Sequence, residues 1–184
     1  MKNTIKTALV TILLLATATQ SYAYVYTFAN HTEKQMAVAI KFREENEPFY
    51  TKLVHPHTIE TLGDGEGGVP EIKEGYCAAH IYYVKAPTTA QKKHNFSTAP
   101  WKDIAITWAP LDIYHPLMEI VNPHSIHVKK HKVIPATIDY QALSELMHKI
   151  SKPSHHQTMC VDRHIDIIED EHGKIFFVSP LIAL

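Results

Sequence analysis

A chain of 184 residues is long enough for one domain with a core of ordinary size. Its 18 basic and 19 acidic side chains nearly cancel, which leaves no positive excess to hold a phosphate backbone and argues against a nucleic-acid partner. Histidine is the conspicuous excess, with 14 residues, so the chain has a large capacity to gain positive charge in acid.

Residues 1–23 have the layout of a secretory signal peptide. Two lysines provide a positive start, an apolar run extends from Ala8 to Ala18, and Ser21-Tyr22-Ala23 places small residues at a cleavage site. The alternative is a transmembrane anchor, but this run would rise only about 16 Å as a helix, roughly half the hydrocarbon thickness. We therefore expect a cleaved leader and an extracytoplasmic (periplasmic or secreted) single domain over 24–184, with no transmembrane segment.

Export changes the interpretation of Cys77 and Cys160, the two cysteines of the chain. An oxidising compartment favours a structural disulfide, and two cysteines allow one intramolecular pairing. In a chain-entropy model this bond would stabilise the fold by about 4–5 kcal/mol. The alternatives are two buried free thiols or a pair of metal ligands.

The mature N-terminus shows the alternation of apolar and polar residues that is typical of strands. The runs 24–30 and 35–43 alternate clearly around the polar segment 31–34, and this pattern predicts a β-hairpin. Two shorter strands follow in the prediction, over 49–55 and 58–62.

The longest apolar run after the leader covers 75–85 and predicts a central strand buried on both faces. The polar segment 86–100 then predicts a long surface loop, and 104–108 predicts another strand. Weaker strands are predicted over 114–121 and 125–128, where Pro116 and Pro123 interrupt the pattern.

The only convincing helix lies over 139–150, where Asp139 can cap the first amides and apolar residues recur on one stripe. A C-terminal hairpin follows, with strands on either side of the turn 170–173. The summed pattern predicts a mainly β fold, an antiparallel β-sandwich or barrel with one short amphipathic helix.

Two groups of histidines are candidate ligands for zinc or copper. In an extended chain the imidazoles of His55 and His57 would point the same way and could share one ion. His124, His127 and His131 would align on a helix, but no apolar stripe supports a helix there. The alternative for both groups is a solvated polar turn.

Three polar residues, Asp162, His164 and Asp166, share one face of the penultimate strand. Neighbours in this set could chelate a cation in pairs, but an antiparallel sheet normally presents such a face to water. His80 lies within the predicted central strand, where a hydrogen-bonded core histidine is the more ordinary interpretation.

Four aromatic residues lie in the long polar loop or in the segment that follows it: Phe96, Trp101, Trp108 and Tyr114. Aromatic side chains on the loops of a β scaffold commonly grip glycan or protein partners, although they are also ordinary core material. Asn30 and Asn95 stand in Asn-x-Ser/Thr motifs and would be glycosylation acceptors in a eukaryotic secretory pathway.

No nucleophile elbow or phosphate-binding loop is found, which favours a binding role over an enzyme, although catalytic groups can also assemble in space. The leading hypothesis is an exported β-sandwich binding module, stabilised by one disulfide, for an unidentified protein or glycan. The alternative is a histidine-rich metal-binding exported protein, either a zinc or copper carrier or a metal-dependent hydrolase. A structural component of the cell envelope is a third hypothesis.

Overall fold

A computed structural model describes residues 25–42, 50–62, 78–121, 137–150 and 163–181. Within these ranges the chain forms nine strands and three helices. Their bounds are β1 (Tyr26–Asn30), β2 (Met36–Phe42), β3 (Tyr50–Val54), β4 (Ile59–Leu62), β5 (Ala78–Lys85), α1 (Thr89–Lys93), β6 (Lys102–Ile104), β7 (Ile106–Pro110), α2 (Leu111–Val121), α3 (Tyr140–Ile150), β8 (Arg163–Glu169) and β9 (Ile175–Leu181). The predicted leader, both cysteines and the predicted strand over 125–128 lie outside the described residues.

The protein is mainly β, and its strands form two open sheets. One has the order β4-β1-β8-β9-β7 and the other the order β3-β2-β5-β6. Neither closes on itself, so the barrel alternative is wrong. The expectation of purely antiparallel sheets is also wrong, because β1 pairs in parallel with β8, and β7 pairs in parallel with β9.

The predicted hairpin between the first two strands does not form, although both strands do. β1 pairs with β4 and β8 in the five-stranded sheet, whereas β2 pairs with β3 and β5 in the other sheet. The turn over 31–35 therefore carries the chain from one sheet to the other. Alternation identifies the face that a strand buries, but it does not identify the strand beside it.

The two sheets share one hydrophobic core. Phe177 of β9 contacts Phe28 in its own sheet, with ring centroids 6.3 Å apart, and Tyr83 of the other sheet, with centroids 5.7 Å apart. Other fully buried members come from both sheets, among them Tyr26, Met36, Val38, Ile40, Leu62, Ile165 and Ile167. Edge-to-face and tilted ring contacts of this kind stabilise a core beyond the area that they bury.

A second core lies on the opposite face of the five-stranded sheet, where α2 and α3 pack. Ile168 and Val178 belong to this second core, whereas their chain neighbours Ile167 and Phe177 belong to the first. Because successive side chains of a strand point to opposite faces, this sheet is covered on both sides. Leu117 of α2 and similar apolar residues of α3 complete the helical layer.

The helix prediction for 139–150 is confirmed by α3. The Asp139 side chain accepts hydrogen bonds from the backbone N–H groups of Gln141 and Ala142, each at 3.1 Å, as expected of an N-cap. Two further helices correct the expectation of a single one. The short α1 lies within the predicted loop 86–100 and starts with a capping box at Thr88.

The second correction is α2, which occupies the segment predicted as a weak strand over 114–121. Leu117 and Val121, four residues apart, are the buried positions of this helix. Pro116 lies within it and was the reason to expect a broken strand. Packing of the apolar stripe against the sheet outweighs the cost of one proline.

Two further strand predictions are confirmed, one of them only in part. The C-terminal hairpin is confirmed, since β8 and β9 pair antiparallel around the turn 170–173. The strand over 75–85 is confirmed as an interior strand over 78–85, but it is not buried on both faces. His80 is exposed there and is not a core residue, whereas Val84, on the same face of the strand, is buried. None of the described helices is long and apolar enough to cross a membrane.

Candidate functional site

A buried polar cluster is centred on the carboxylate of Asp166 in β8, which is only 2% exposed. Its Oδ1 lies 2.6 Å from His31 Nε2 and 3.3 Å from His164 Nε2. Tyr114 Oη donates to the other oxygen, Oδ2, at 2.6 Å. The Asp166 carboxylate therefore has hydrogen-bond partners on both oxygens, as a buried charge requires.

Three elements bring these groups together. The parallel pairing of β1 with β8 continues past the end of β1, where the backbone N–H of His31 donates to the carbonyl of Ile167 at 3.0 Å. Asp166 and Ile168 lie on one face of β8, and α2 covers that face and supplies Tyr114. The cluster therefore forms only when β1, β8 and α2 are all in place.

The electrostatics of the cluster favour an ionised Asp166. Burial acts to raise the pKa of Asp166, but the hydrogen bonds and charges of His164 and His31 outweigh it and hold that pKa well below its usual range. Burial acts to lower the pKa of His164, yet the hydrogen bond and charge of Asp166 raise it overall. Burial and the neighbouring Asp166 together raise the pKa of Tyr114, so its hydroxyl stays protonated and donates.

The turn that follows β1 is held by the side chain of Asn30, which is fully buried. Its Nδ2 donates to the carbonyls of Lys34 and His55, at 2.8 and 3.1 Å, and its Oδ1 accepts from the backbone N–H of Thr32 at 3.0 Å. This network fixes the turn against the end of β3. The Asn30 amide is thus occupied within the fold, whereas Asn95 is exposed.

A cleft of about 760 Å³ opens beside this turn. Its walls come from turn 31–34, from turn 169–173 between β8 and β9, and from His57, Lys85 and Tyr140. In turn 169–173, Asp170 Oδ1 accepts the backbone N–H groups of His172 and Lys174, at 2.9 and 2.8 Å. Both walls are therefore turns that are braced by their own side chains.

Among the described residues that line the cleft, acidic side chains outnumber lysines. Four carboxylates, those of Glu33, Glu169, Asp170 and Glu171, face two lysines, Lys34 and Lys85. The ammonium of Lys85 already pairs with Glu169 and also donates to the carbonyl of Gly173 at 3.3 Å. With neutral histidines, the described side chains of the lining sum to a net negative charge.

Two histidines of the cleft wall have ring nitrogens without hydrogen bonds. Among the described residues, four buried side-chain atoms lack a hydrogen-bond partner, and three of them are His31 Nδ1, His57 Nδ1 and His57 Nε2. Glu33 Oε1 lies 3.1 Å from His57 Nε2, within ion-pair distance but outside hydrogen-bond geometry. Buried polar atoms of this kind are rare in native proteins and indicate strain or a function.

The predicted histidine ligands are only partly within the described residues. His55 and His57 do not share one side of an extended chain, because Pro56 and His57 form a turn and His57 has a left-handed φ of 54°. His55 Nδ1 lies 2.7 Å from Gln35 Nε2 and points to that partner instead. The described part of the chain contains no group of three or more His, Cys, Asp or Glu side chains that could hold a metal ion.

Several predicted site residues lie outside the described ranges. They are His124, His127, His131, Cys77, Cys160 and Asp162, so the three-histidine site and the disulfide stay predictions.

The four candidate aromatics have different surroundings in the fold, and their role in ligand binding stays a prediction. Phe96 and Trp101 contact each other edge to face, with centroids 6.0 Å apart. Trp108 packs against the first core. The guanidinium carbon of Arg163 lies over its ring, 4.8 Å from the ring centroid. The hydroxyl of Tyr114 donates a hydrogen bond to Asp166.

No pattern in the sequence singles out His31, and the alternation in the penultimate strand predicts a solvated face for Asp166. The available indication was local: Asp166 stands among Ile165, Ile167 and Ile168, an apolar setting that is unusual for an exposed carboxylate.

No protein-family model, no curated protein and no solved structure matches this chain.

Proposed function

We propose that this protein is an exported β-sandwich binding module whose ligand occupies the cleft between turn 31–34 and turn 169–173. The observation that carries this proposal is the cleft itself: a concave site of about 760 Å³, with polar side chains presented from two braced turns. The ligand that suits these walls is a small polar molecule or the polar end of a glycan.

Two features of the molecule support a binding role. The turns stand on a scaffold whose core is continuous between the two sheets, so the cleft walls are positioned before a ligand arrives. Tyr140, which is 42% exposed, gives the cleft an aromatic edge beside its charged groups. An aromatic edge with several polar groups is a common composition for a site that binds polar ligands.

Export is supported by the leader over 1–23 and by the paired cysteine count, and both stay predictions. The sandwich arrangement is supported by the shared core between two open sheets.

The test is a titration of ¹⁵N-labelled protein comprising residues 24–184 with a panel of small sugars, amines and organic acids, followed by amide NMR. We expect at least one probe to shift resonances in turns 31–34 and 169–173. The variant Lys34→Gln should weaken or alter that response, and the matched control Lys102→Gln, an exposed lysine on β6, should not. Binding that perturbs only other surfaces, or no binder in the panel and on a glycan array, would overturn the proposal.

A further inference from the structure

We propose that the free edge of β7 is a second interaction surface, which binds an extended peptide segment with a carboxylate side chain. β7 is the last strand of the five-stranded sheet and pairs with β9 on one side. Among the described residues no strand pairs with its other side, so an added strand would find unpaired backbone groups there. The surface is distinct from the cleft, because none of the described residues that line the cleft belongs to β7.

The sequence of β7 lacks the features that usually protect the edge of a sheet. Residues 106–110 carry no charge, and they pair with β9 residue for residue, without a bulge. Pro110 removes a backbone donor only at the last position. The three other edge strands of the described sheets carry charged side chains: Lys52 on β3, Glu60 on β4 and Lys102 on β6. A regular edge without charges is the one that most readily accepts a partner strand.

The chemistry of the partner follows from Arg163, the first residue of β8. Its guanidinium carbon lies over the ring of Trp108 in β7, 4.8 Å from the ring centroid. None of the ion pairs among the described residues includes this arginine. Its Nε is buried without a hydrogen-bond partner, but the terminal guanidinium nitrogens are not among the buried unpaired atoms. Those terminal nitrogens are therefore open to a ligand.

A guanidinium held over an aromatic ring is well suited to bind a carboxylate. Its planar fork of donors matches the two oxygens of that group. A strand added to β7 would place every second side chain on the face of the sheet that carries Trp108. A glutamate or aspartate at such a position would lie beside the Trp108 ring and pair with Arg163, whereas a lysine there would be repelled.

An apolar rim at the end of the edge adds to this preference. The described residues include three exposed large apolar side chains, and two of them stand at this end of β7. Leu111 is 46% exposed and directly follows β7, and Leu181 is 38% exposed and is the register partner of Pro110 in β9. A segment that continues past Pro110 would meet these leucines, so the partner should carry an apolar residue beyond its carboxylate.

A second copy of this chain suits the edge less well than a different protein does. If two β7 strands paired antiparallel about a two-fold axis, both Trp108 rings would lie on the same face of the joined sheet. Both Arg163 guanidiniums would then lie on that face as well, and each would bring a positive charge without a carboxylate. Their repulsion favours a partner that supplies the negative charge.

The experiment uses a capped peptide as the probe, with the sequence Val-Thr-Val-Glu-Val-Thr-Leu, and two analogues with glutamine or lysine in place of the glutamate. Each is titrated into ¹⁵N-labelled protein comprising residues 24–184 and followed by amide NMR and hydrogen exchange. We expect the glutamate peptide to shift the amides of 106–109 and to slow the exchange of alternate ones. The glutamine analogue should bind about tenfold more weakly, as for loss of a hydrogen bond to a charged group, and the lysine analogue more weakly still.

Three variants complete the test. Arg163→Gln should abolish the difference between the glutamate and glutamine peptides while both still bind to β7. Leu111→Ser should weaken all three peptides to a similar extent. Lys52→Gln, on the edge strand β3 of the other sheet, is the control and should change none of the affinities. The dispersion of the amide spectrum shows that each variant is folded.

Several results would overturn the inference. They are equal binding of the glutamate and glutamine peptides, undiminished discrimination in Arg163→Gln, and the absence of shifts at 106–109 with all three peptides. A dimer in sedimentation whose β7 amides are protected would show that a second copy occupies the edge, and it would also reject a carboxylate-bearing partner. Ligand binding at turns 31–34 and 169–173 is measured by different amides, so either proposal can fail without the other.

Discussion

His31 and Asp166 are 135 residues apart in the chain, yet His31 Nε2 lies 2.6 Å from Asp166 Oδ1 in the interior. The contact joins the turn after the first strand to the penultimate strand, and it lies beside the cleft that we assign to the ligand. Burying a carboxylate beside an imidazole has a large desolvation cost, and the hydrogen bonds that offset this cost depend on every partner being present. Each member of this cluster should therefore contribute measurably to the stability of the fold.

Replacing Asp166 should destabilise the protein strongly. Asp166→Ala leaves the donors of His31, His164 and Tyr114 without their acceptor in a buried site, and we expect a loss of about 3–5 kcal/mol in the free energy of unfolding. Urea denaturation followed by circular dichroism measures this loss. Asp103→Asn is the control, since this exposed aspartate pairs with exposed His80 and should change stability by about 0.5 kcal/mol or less. Equal effects of the two substitutions would contradict a structural role for the cluster.

The Tyr114 hydroxyl should contribute through Asp166 rather than by packing. Tyr114→Phe keeps the ring against the helical core and removes one donor to a charged acceptor, for an expected loss of about 1.5–3 kcal/mol. In a double-mutant cycle with Asp166→Asn, the two losses should be coupled by about 0.5–3 kcal/mol. Tyr140→Phe, at an exposed tyrosine, is the matched control. Additive effects would mean that the hydrogen bond contributes nothing to stability.

The cluster should also make stability depend on pH in two directions. The pKa of Asp166 is lowered in the fold, so its contribution is present above the unfolded value of about 4 and is lost progressively as the pH falls further. The pKa of His164 is raised, so its contribution is complete below about pH 6.5 and is lost as the pH rises through the folded-state value. The cluster therefore stabilises the fold most between these limits.

Because the chain has other histidines, the measurement is a difference between proteins. The free energy of unfolding of the wild type minus that of His164→Gln should decrease from pH 6 to pH 9. The same difference for Asp166→Asn should decrease as the pH falls from 5 to 3. His80→Gln, at an exposed histidine whose partner is also exposed, should show no comparable trend. A pH-independent difference for His164→Gln would be incompatible with its pairing to Asp166.

The strands could be predicted from the sequence because the alternation of apolar and polar residues is a local property. The predicted strands over 24–30 and 35–43 match β1 and β2 closely, and the helix over 139–150 matches α3. The strands with which they pair could not be predicted. The parallel contact between β1 and β8 joins segments that are far apart in sequence, and nothing in either segment specifies the other.

The errors at the candidate site have two origins. Pro116 led to the prediction of a broken strand where α2 forms, and without α2 the face of β8 that carries Asp166 has no cover. An uncovered polar face is naturally assigned to solvent. His31 could not be connected to Asp166 either, because that contact needs the parallel pairing. The site is thus a tertiary property that no local pattern encodes.

Export and disulfide formation can be tested together. Expression of the full chain in a bacterium with an oxidising periplasm should yield a protein that begins at Tyr24 and has no titratable thiol under non-reducing conditions. Reduction should lower the free energy of unfolding by about 4–5 kcal/mol in the chain-entropy model. The variant Cys77→Ser/Cys160→Ser should be equally destabilised and insensitive to reductant. Two free thiols in the exported protein would reject the disulfide.

The metal-binding alternative and our proposal predict different effects of added zinc or copper on the stability of the fold. A specific site would stabilise the fold by mass action, by about 2.7 kcal/mol at a free metal concentration one hundred times the dissociation constant. We expect no such increase in protein comprising residues 24–184 and purified without a histidine tag. Of the candidate ligands within the described residues, His55 faces Gln35 and His57 lies beside the single carboxylate of Glu33. Two imidazoles directed to different partners do not form a site with the three protein ligands that zinc ordinarily requires.

The remaining candidates can be separated by substitution. If zinc or copper does raise the melting temperature, the triple variant His124→Gln/His127→Gln/His131→Gln should abolish the increase, and His55→Gln/His57→Gln should not. That result would establish the metal-binding alternative at the three-histidine segment. Loss of the increase in His55→Gln/His57→Gln instead would show that these two side chains meet on a metal despite the turn at Pro56, and it would contradict the geometry of this part of the cleft.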